Sequence, residues 1–112
     1  MRWDNRHSGI LEKIYLKFNN ENIRYFILRN YEGLPNVNSS KDVDFIVDPI
    51  SVFKAVNIVK QVYKENEINH YYEVQFGKMY CCHGINSDFG IHIDIIGSYV
   101  SKGFGCTNLA SS

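Results

Sequence analysis

The residues of this chain best suited to chemistry are three aspartates, Asp42, Asp44 and Asp94. Asp42 and Asp44 are two positions apart, and in a strand that spacing places both side chains on one face. Asp94 lies among isoleucines, where an unpaired carboxylate would be costly. Carboxylates that converge from neighbouring strands suit hard ions such as Mg²⁺ or Mn²⁺. The three acids therefore predict a metal site able to activate a hydroxyl and stabilise a leaving pyrophosphate.

The first two acids must be positioned by a short strand over residues 42–47. Val43, Phe45 and Val47 occupy its other face, which suits a core. A polar loop of Gly, Pro, Asn and Ser precedes this strand, and loops of that length in compact domains are usually functional or mobile. After the strand, Asp48 is expected to cap a helix that has Pro49 in its first turn and runs to about residue 65.

The rest of the chain alternates between helical and strand periodicity. The patterns predict a helix at residues 7–19 capped by Ser8, a strand at 24–28, and three strands at 71–76, 79–85 and 89–96, with a two-residue hairpin turn at Gly77 and Lys78. The fold class expected is α/β (α+β): a mixed β-sheet with helices packed on one face. The domain is expected to span residues 1–97, and residues 98–112 form a Gly/Ser-rich tail where a longer protein could have been cut.

Composition excludes several classes of protein. The 112 residues suffice for one domain, and 45% hydrophobic with 21% charged residues is typical of a folded chain rather than a disordered one. Lys plus Arg equals Asp plus Glu at 12 each, so nucleic acid is not an expected partner. No signal segment or membrane span is evident, which favours a cytoplasmic protein with no membrane partner. Cys81, Cys82 and Cys106 are expected to be free thiols.

The acidic strand and what precedes it resemble the nucleotidyltransferase superfamily that shares the DNA polymerase β palm. That family has a hydrophobic residue, Gly-Gly or Gly-Ser, a spacer, and then Asp-x-Asp or Asp-x-Glu between hydrophobic residues. Here eleven residues separate Asn30 from Asp42, and Asp94 follows on a later strand. The resemblance covers residues 24–97. The amino-acid sequence of the loop that begins at Leu28 also resembles a divergent branch of that family, which is associated with bacterial surface-polysaccharide gene clusters.

The resemblance implies roles for eight residues. Asp42, Asp44 and Asp94 would hold Mg²⁺ or Mn²⁺, and Asp94 would help to deprotonate the acceptor. A nucleoside triphosphate would be the substrate. Where the family has Gly-Ser, this chain has Arg29-Asn30, so the close backbone approach to phosphate is lost. Arg29 is expected to compensate through charge-assisted hydrogen bonds. The predicted nucleotide-binding residues are therefore Arg29, Asn30, Ser39, Ser40 and Lys41.

Three functions compete on this evidence. The first is a metal-dependent nucleotidyltransferase that moves a nucleoside monophosphate to a hydroxyl or phosphate acceptor. The second is a catalytically degenerate domain of the same fold that binds or regulates a protein partner or a second copy of itself. The third is a glycosyltransferase in which Asp-x-Asp holds the ion of a nucleotide sugar, although only 41 residues precede Asp42.

Two cysteines and two histidines, Cys81, Cys82, His83 and His92, also invite a zinc hypothesis. Cys81 and Cys82 are adjacent and would point to opposite faces of a strand. The spacing of these cysteines with His83 and His92 is not one of the usual paired-ligand patterns. A zinc site is therefore not favoured from the sequence. His92 shares a strand face with Asp94 and could touch the metal site or phosphate, but a structural histidine is the preferred interpretation.

Overall fold

The computed structural model describes residues 4–28 and 42–98. Two helices, a short 3₁₀ turn and five strands form in this part of the chain. In order these are α1 (Asn5–Asn20), β1 (Tyr25–Leu28), β2 (Asp42–Val47), the 3₁₀ turn (Pro49–Ser51), α2 (Val52–Glu65), β3 (His70–Phe76), β4 (Met79–Asn86) and β5 (Phe89–Gly97).

The five strands form one mixed sheet in the order β1-β2-β5-β4-β3. β2 and β5 are parallel, whereas the other three neighbouring pairs are antiparallel. The parallel pair is built by the long crossover through α2, β3 and β4, because parallel strands cannot be joined by a tight turn. The predicted α+β class with a mixed sheet is confirmed.

Both described helices pack on one face of the sheet. The residues that cover this face are apolar and almost fully buried, and they include Val43, Phe45 and Val47 on β2 and Ile91, Ile93 and Ile95 on β5. We call the opposite face, which neither described helix covers, the open face. The alternation of side chains along each strand makes one face a core and leaves the polar residues to the other.

The start of α1 differs from the prediction. Asp4, not Ser8, is the N-cap residue, and its side chain accepts hydrogen bonds from the backbone N–H groups of Arg6 and His7. The His7 ring completes a capping box because Nδ1 accepts from the Asp4 backbone N–H at 3.1 Å. Nε2 of the buried His7 lies 2.7 Å from the Gly90 carbonyl oxygen, which ties the helix start to β5.

The start of the second helix also needs a correction. Pro49 begins a 3₁₀ turn as its ring geometry favours, but the α-helix itself begins at Val52. The Asp48 side chain makes no capping hydrogen bond. The backbone carbonyl oxygen of Asp48 instead accepts a hydrogen bond from the Ser51 N–H at 2.8 Å. The predicted helix end at Glu65 is confirmed.

The predicted hairpin between β3 and β4 is confirmed. Phe76 pairs with Met79 across Gly77 and Lys78, and Gly77 has φ of 58°, a conformation that costs glycine little. Neither helix in the described ranges is long and apolar enough to cross a membrane.

Candidate functional site

The three predicted acids lie on the open face, at the junction of the two parallel strands. Asp44 of β2 is in register with Asp94 of β5, and Asp42 is in register with His92. Neighbouring strands are about 4.8 Å apart, so each pair is within side-chain reach. Asp44 is only 7% exposed, whereas Asp42 is open to solvent. The strands thus bring Asp42 and Asp44 together with Asp94, which lies 50 positions after Asp44 in the chain.

The pKa of Asp94 is shifted by its burial and by its neighbours in this group. Burial is the main cause that raises its pKa to about 6, and the hydrogen-bonded carboxylate of Asp44 raises it further, while a hydrogen bond with Cys81 acts in the opposite direction. Its Oδ1 atom is buried and has no hydrogen-bond partner among the described residues. Two close carboxylates cannot both ionise cheaply, so the site favours a shared proton or a cation.

A histidine pair extends the site beyond the acids. His92 Nδ1 lies 2.8 Å from Oδ1 of Asp42, so His92 belongs to the candidate site rather than to the core. The ring of His83 stacks on His92 with centroids 3.9 Å apart. Burial and the neighbouring His92 lower the pKa of His83, although Asp42 opposes the shift. His83 is therefore neutral near pH 7 and able to act as a ligand.

The two adjacent cysteines face opposite sides of the sheet, as predicted. Cys82 lies in the core, whereas Cys81 lies on the open face opposite Asp94. Burial and the Asp94 and Asp44 carboxylates raise the pKa of Cys81 to about 11, so it is a thiol in the metal-free protein. The ligand atoms of Cys81, His83 and Asp94 all lie within 4.8 Å of one another.

This last cluster is the feature that sequence reasoning missed. Cys81 and His83 are two residues apart on β4 and therefore project from the same face of the strand. The sequence pattern alone predicts this. Their proximity to Asp94 depends on the register between β4 and β5, which spacing along the chain does not give. The predicted nucleotide-binding residues lie outside the described residues: Arg29, Asn30, Ser39, Ser40 and Lys41.

Comparisons with known proteins find little sequence similarity. No family model matches the chain, and no curated protein matches it. Among solved structures, the chain is similar to terminal uridylyl transferase 4 from Trypanosoma brucei with bound GTP, with a TM-score of 0.44 and 12% identity. That match covers 89% of this chain and 32% of the other, so this chain spans about a third of that protein's length.

Proposed function

We propose that this chain is a metal-dependent nucleotidyltransferase domain that moves a nucleoside monophosphate from a nucleoside triphosphate to a hydroxyl or phosphate acceptor. The observation that carries the proposal is the arrangement of Asp42, Asp44 and Asp94 across two parallel strands, with one Asp94 oxygen buried and lacking a partner among the described residues. Such an arrangement presents negative oxygen atoms in fixed positions, which divalent ions and phosphoryl transfer both require.

The donor set fits Mg²⁺ or Mn²⁺. Both ions prefer carboxylate oxygens, and an ion between Asp44 and Asp94 would remove the repulsion that raises the pKa of Asp94. A bound divalent ion would neutralise phosphate charge and lower the pKa of the acceptor hydroxyl. The fit rests on the orphaned Asp94 oxygen and on the close approach of the carboxylates.

The protein's own groups have distinct proposed roles. Asp44 and Asp94 would hold metal from adjacent strands, and Asp94 is also proposed to help deprotonate the acceptor hydroxyl. Asp42 is oriented by the His92 ring at 2.8 Å. From sequence alone, the triphosphate would be held by Arg29, Asn30, Ser39, Ser40 and Lys41.

We add to this proposal the bounds of the catalytic domain, its location in the cell and the source of its acceptor. The catalytic unit spans residues 1–97, followed by the tail at 98–112. The protein would act in the cytoplasm, where nucleoside triphosphates are available, and surface-polysaccharide metabolism is the proposed source of its acceptor.

A second function is favoured by one sequence feature. Arg29-Asn30 stands where an active nucleotidyltransferase has Gly-Ser, and the lost glycine removes a close backbone contact with phosphate. A domain of this fold that has lost turnover would instead bind or regulate a protein partner. In that case the acids would still bind metal without supporting transfer.

The test combines nucleotide binding with turnover. The full chain is titrated with each nucleoside triphosphate with and without Mn²⁺, and release of pyrophosphate is followed over a panel of acceptors. Asp44→Asn and Asp42→Asn should lower turnover about 10³-fold or more, the scale of losing a main electrostatic element in phosphoryl transfer. Asp88→Asn, on the exposed turn between β4 and β5, is the matched control and should be unchanged.

Other results would correct the site or replace the proposed function. Triphosphate binding that stays metal-dependent and equally tight in Asp42→Asn would remove that acid from the metal site. Tighter binding of a sugar nucleotide than of a triphosphate would indicate a glycosyltransferase. A stable protein partner without any turnover would favour the degenerate binding domain.

A further inference from the structure

A second group of metal-binding atoms lies beside the three acids on the open face. Cys81 and His83 are two residues apart on β4, so their side chains project from the same face of the strand. Asp94 lies directly opposite Cys81 on β5. We propose that Cys81, His83 and Asp94 form a binding site for a thiophilic divalent ion, of which Zn²⁺ is the main candidate.

The chemical types of the three ligands favour this ion. Thiolate and imidazole groups select Zn²⁺ over Mg²⁺, which prefers a shell made only of oxygen. Three protein ligands with a water in the fourth position is the arrangement of open, exchangeable zinc sites. The Cys81 sulfur and His83 nitrogen therefore distinguish this site from the carboxylate group at Asp42 and Asp44.

The distances also suit a tetrahedral ion. Bond lengths of about 2.0–2.3 Å place neighbouring ligand atoms about 3.3–3.7 Å apart. The three ligand atoms lie within 4.8 Å of one another in the metal-free chain. The remaining distance, at most about 1 Å, is within the range of side-chain rotation, which would leave the two interior strands in place.

The side chains at the site favour the binding of a cation. The Oδ1 atom of Asp94 is buried and has no hydrogen-bond partner within residues 4–28 and 42–98. Cys81 is 8% exposed and is a free thiol. On binding, the thiol releases one proton to solvent and its sulfur bonds to the ion, since a divalent cation reverses the sign of the local field.

Sharing of Asp94 gives this site a functional consequence. Asp94 belongs to both groups, so Zn²⁺ held by Cys81 and His83 would draw its carboxylate towards β4 and change the geometry in which Asp44 and Asp94 hold Mg²⁺. Inhibition of Mg²⁺-dependent turnover by Zn²⁺ follows from this, and that consequence rests on the proposed nucleotidyltransferase function. Binding of the ion itself does not, because it requires no nucleotide.

The experiment uses Co²⁺ as a spectroscopic substitute for Zn²⁺ in the full chain, without nucleotide. The unmodified chain should bind one Co²⁺ with a thiolate-to-cobalt charge-transfer band that Zn²⁺ abolishes, since zinc binds such ligands more tightly. Cys81→Ser should remove the band and weaken Co²⁺ binding at least about 100-fold, at or above the loss seen when outer-shell partners of a metal are removed. His83→Gln should weaken binding to a similar extent.

Two control variants separate this site from other possibilities. Cys82→Ala removes the neighbouring thiol on the covered face and should keep the band, with circular dichroism to confirm that each variant folds. Asp42→Asn should keep the band while it loses triphosphate turnover, which separates failure of the zinc site from failure of the proposed enzyme. Absence of the band in the folded unmodified chain, its survival in Cys81→Ser, or its loss in folded Cys82→Ala would overturn the proposal.

Discussion

The two faces of the sheet differ in what they contribute. On β2 the neighbouring residues Asp44 and Phe45 point in opposite directions, and Phe45 is 0% exposed with the rings of Phe18 and Tyr25 centred 5.3 and 5.4 Å away. Asp44 meets Asp94 instead. The covered face therefore supplies packing free energy, whereas the open face collects like charges that oppose folding until a proton or cation is present.

The largest expected loss of stability comes from a substitution on the covered face. Phe45→Ala removes a ring from a close-packed aromatic cluster, so the free energy of unfolding should fall by about 3–5 kcal/mol. That loss is a large share of the stability of a small domain. Urea denaturation followed by circular dichroism measures it directly.

The neighbouring residue supplies the matched comparison. Asp44→Asn keeps the volume of the side chain and removes its charge, so its unfolding free energy should change by less than about 1 kcal/mol while metal-dependent binding is lost. If Asp44→Asn destabilised the chain as strongly as Phe45→Ala, Asp44 would be a structural residue and the division between the faces would be wrong.

Local features of the chain were predictable because they depend on short spacings. The alternation at residues 42–47 and 89–96 predicted the strands β2 and β5 and the face of each acid, and Gly77-Lys78 predicted the hairpin. The cap of α1 was missed because Asp4 pairs with a histidine, His7, where a capping box usually has Glu or Gln.

Contacts between distant strands were beyond such reasoning. Spacing along the chain does not say that β2 lies beside β5, and that pairing alone places His92 on Asp42. The register of β4 on β5 likewise places Cys81 beside Asp94. Sequence thus indicated the acids, and the order of the strands added the histidines and the thiol.

The charge of Asp94 on the open face should make stability depend on pH. Asp94 has a pKa of about 6 in the folded chain against 3.8 for an ordinary aspartate. The folded state therefore binds the proton more tightly, and stability is lost as the pH rises from about 4 through 6. In metal-free buffer at pH 7.5, Asp94→Asn should raise the unfolding free energy by about 1–2 kcal/mol, after allowance for partial exposure.

The pH profile tests that explanation. The advantage of Asp94→Asn over the unmodified chain should vanish below about pH 3, where the aspartate is protonated in both states, and reach its full size above about pH 7. Thermal unfolding across about pH 3–8 in the presence of a chelator measures the difference. An advantage that stays constant with pH would indicate a packing effect of the amide and not the relief of charge repulsion.

The smallest expected effect comes from the outer part of the open face. Phe76 at the end of β3 is 63% exposed and shares this face with the exposed Tyr72 and Val74. Phe76→Thr retains a residue that favours strands, so unfolding free energy should change by less than about 0.5 kcal/mol. Tyr71→Thr, on the same strand, should cost about 1–3 kcal/mol because Tyr71 packs against the core. Equal losses in the two variants, with a dependence on protein concentration, would show that the outer open face is buried against a second molecule.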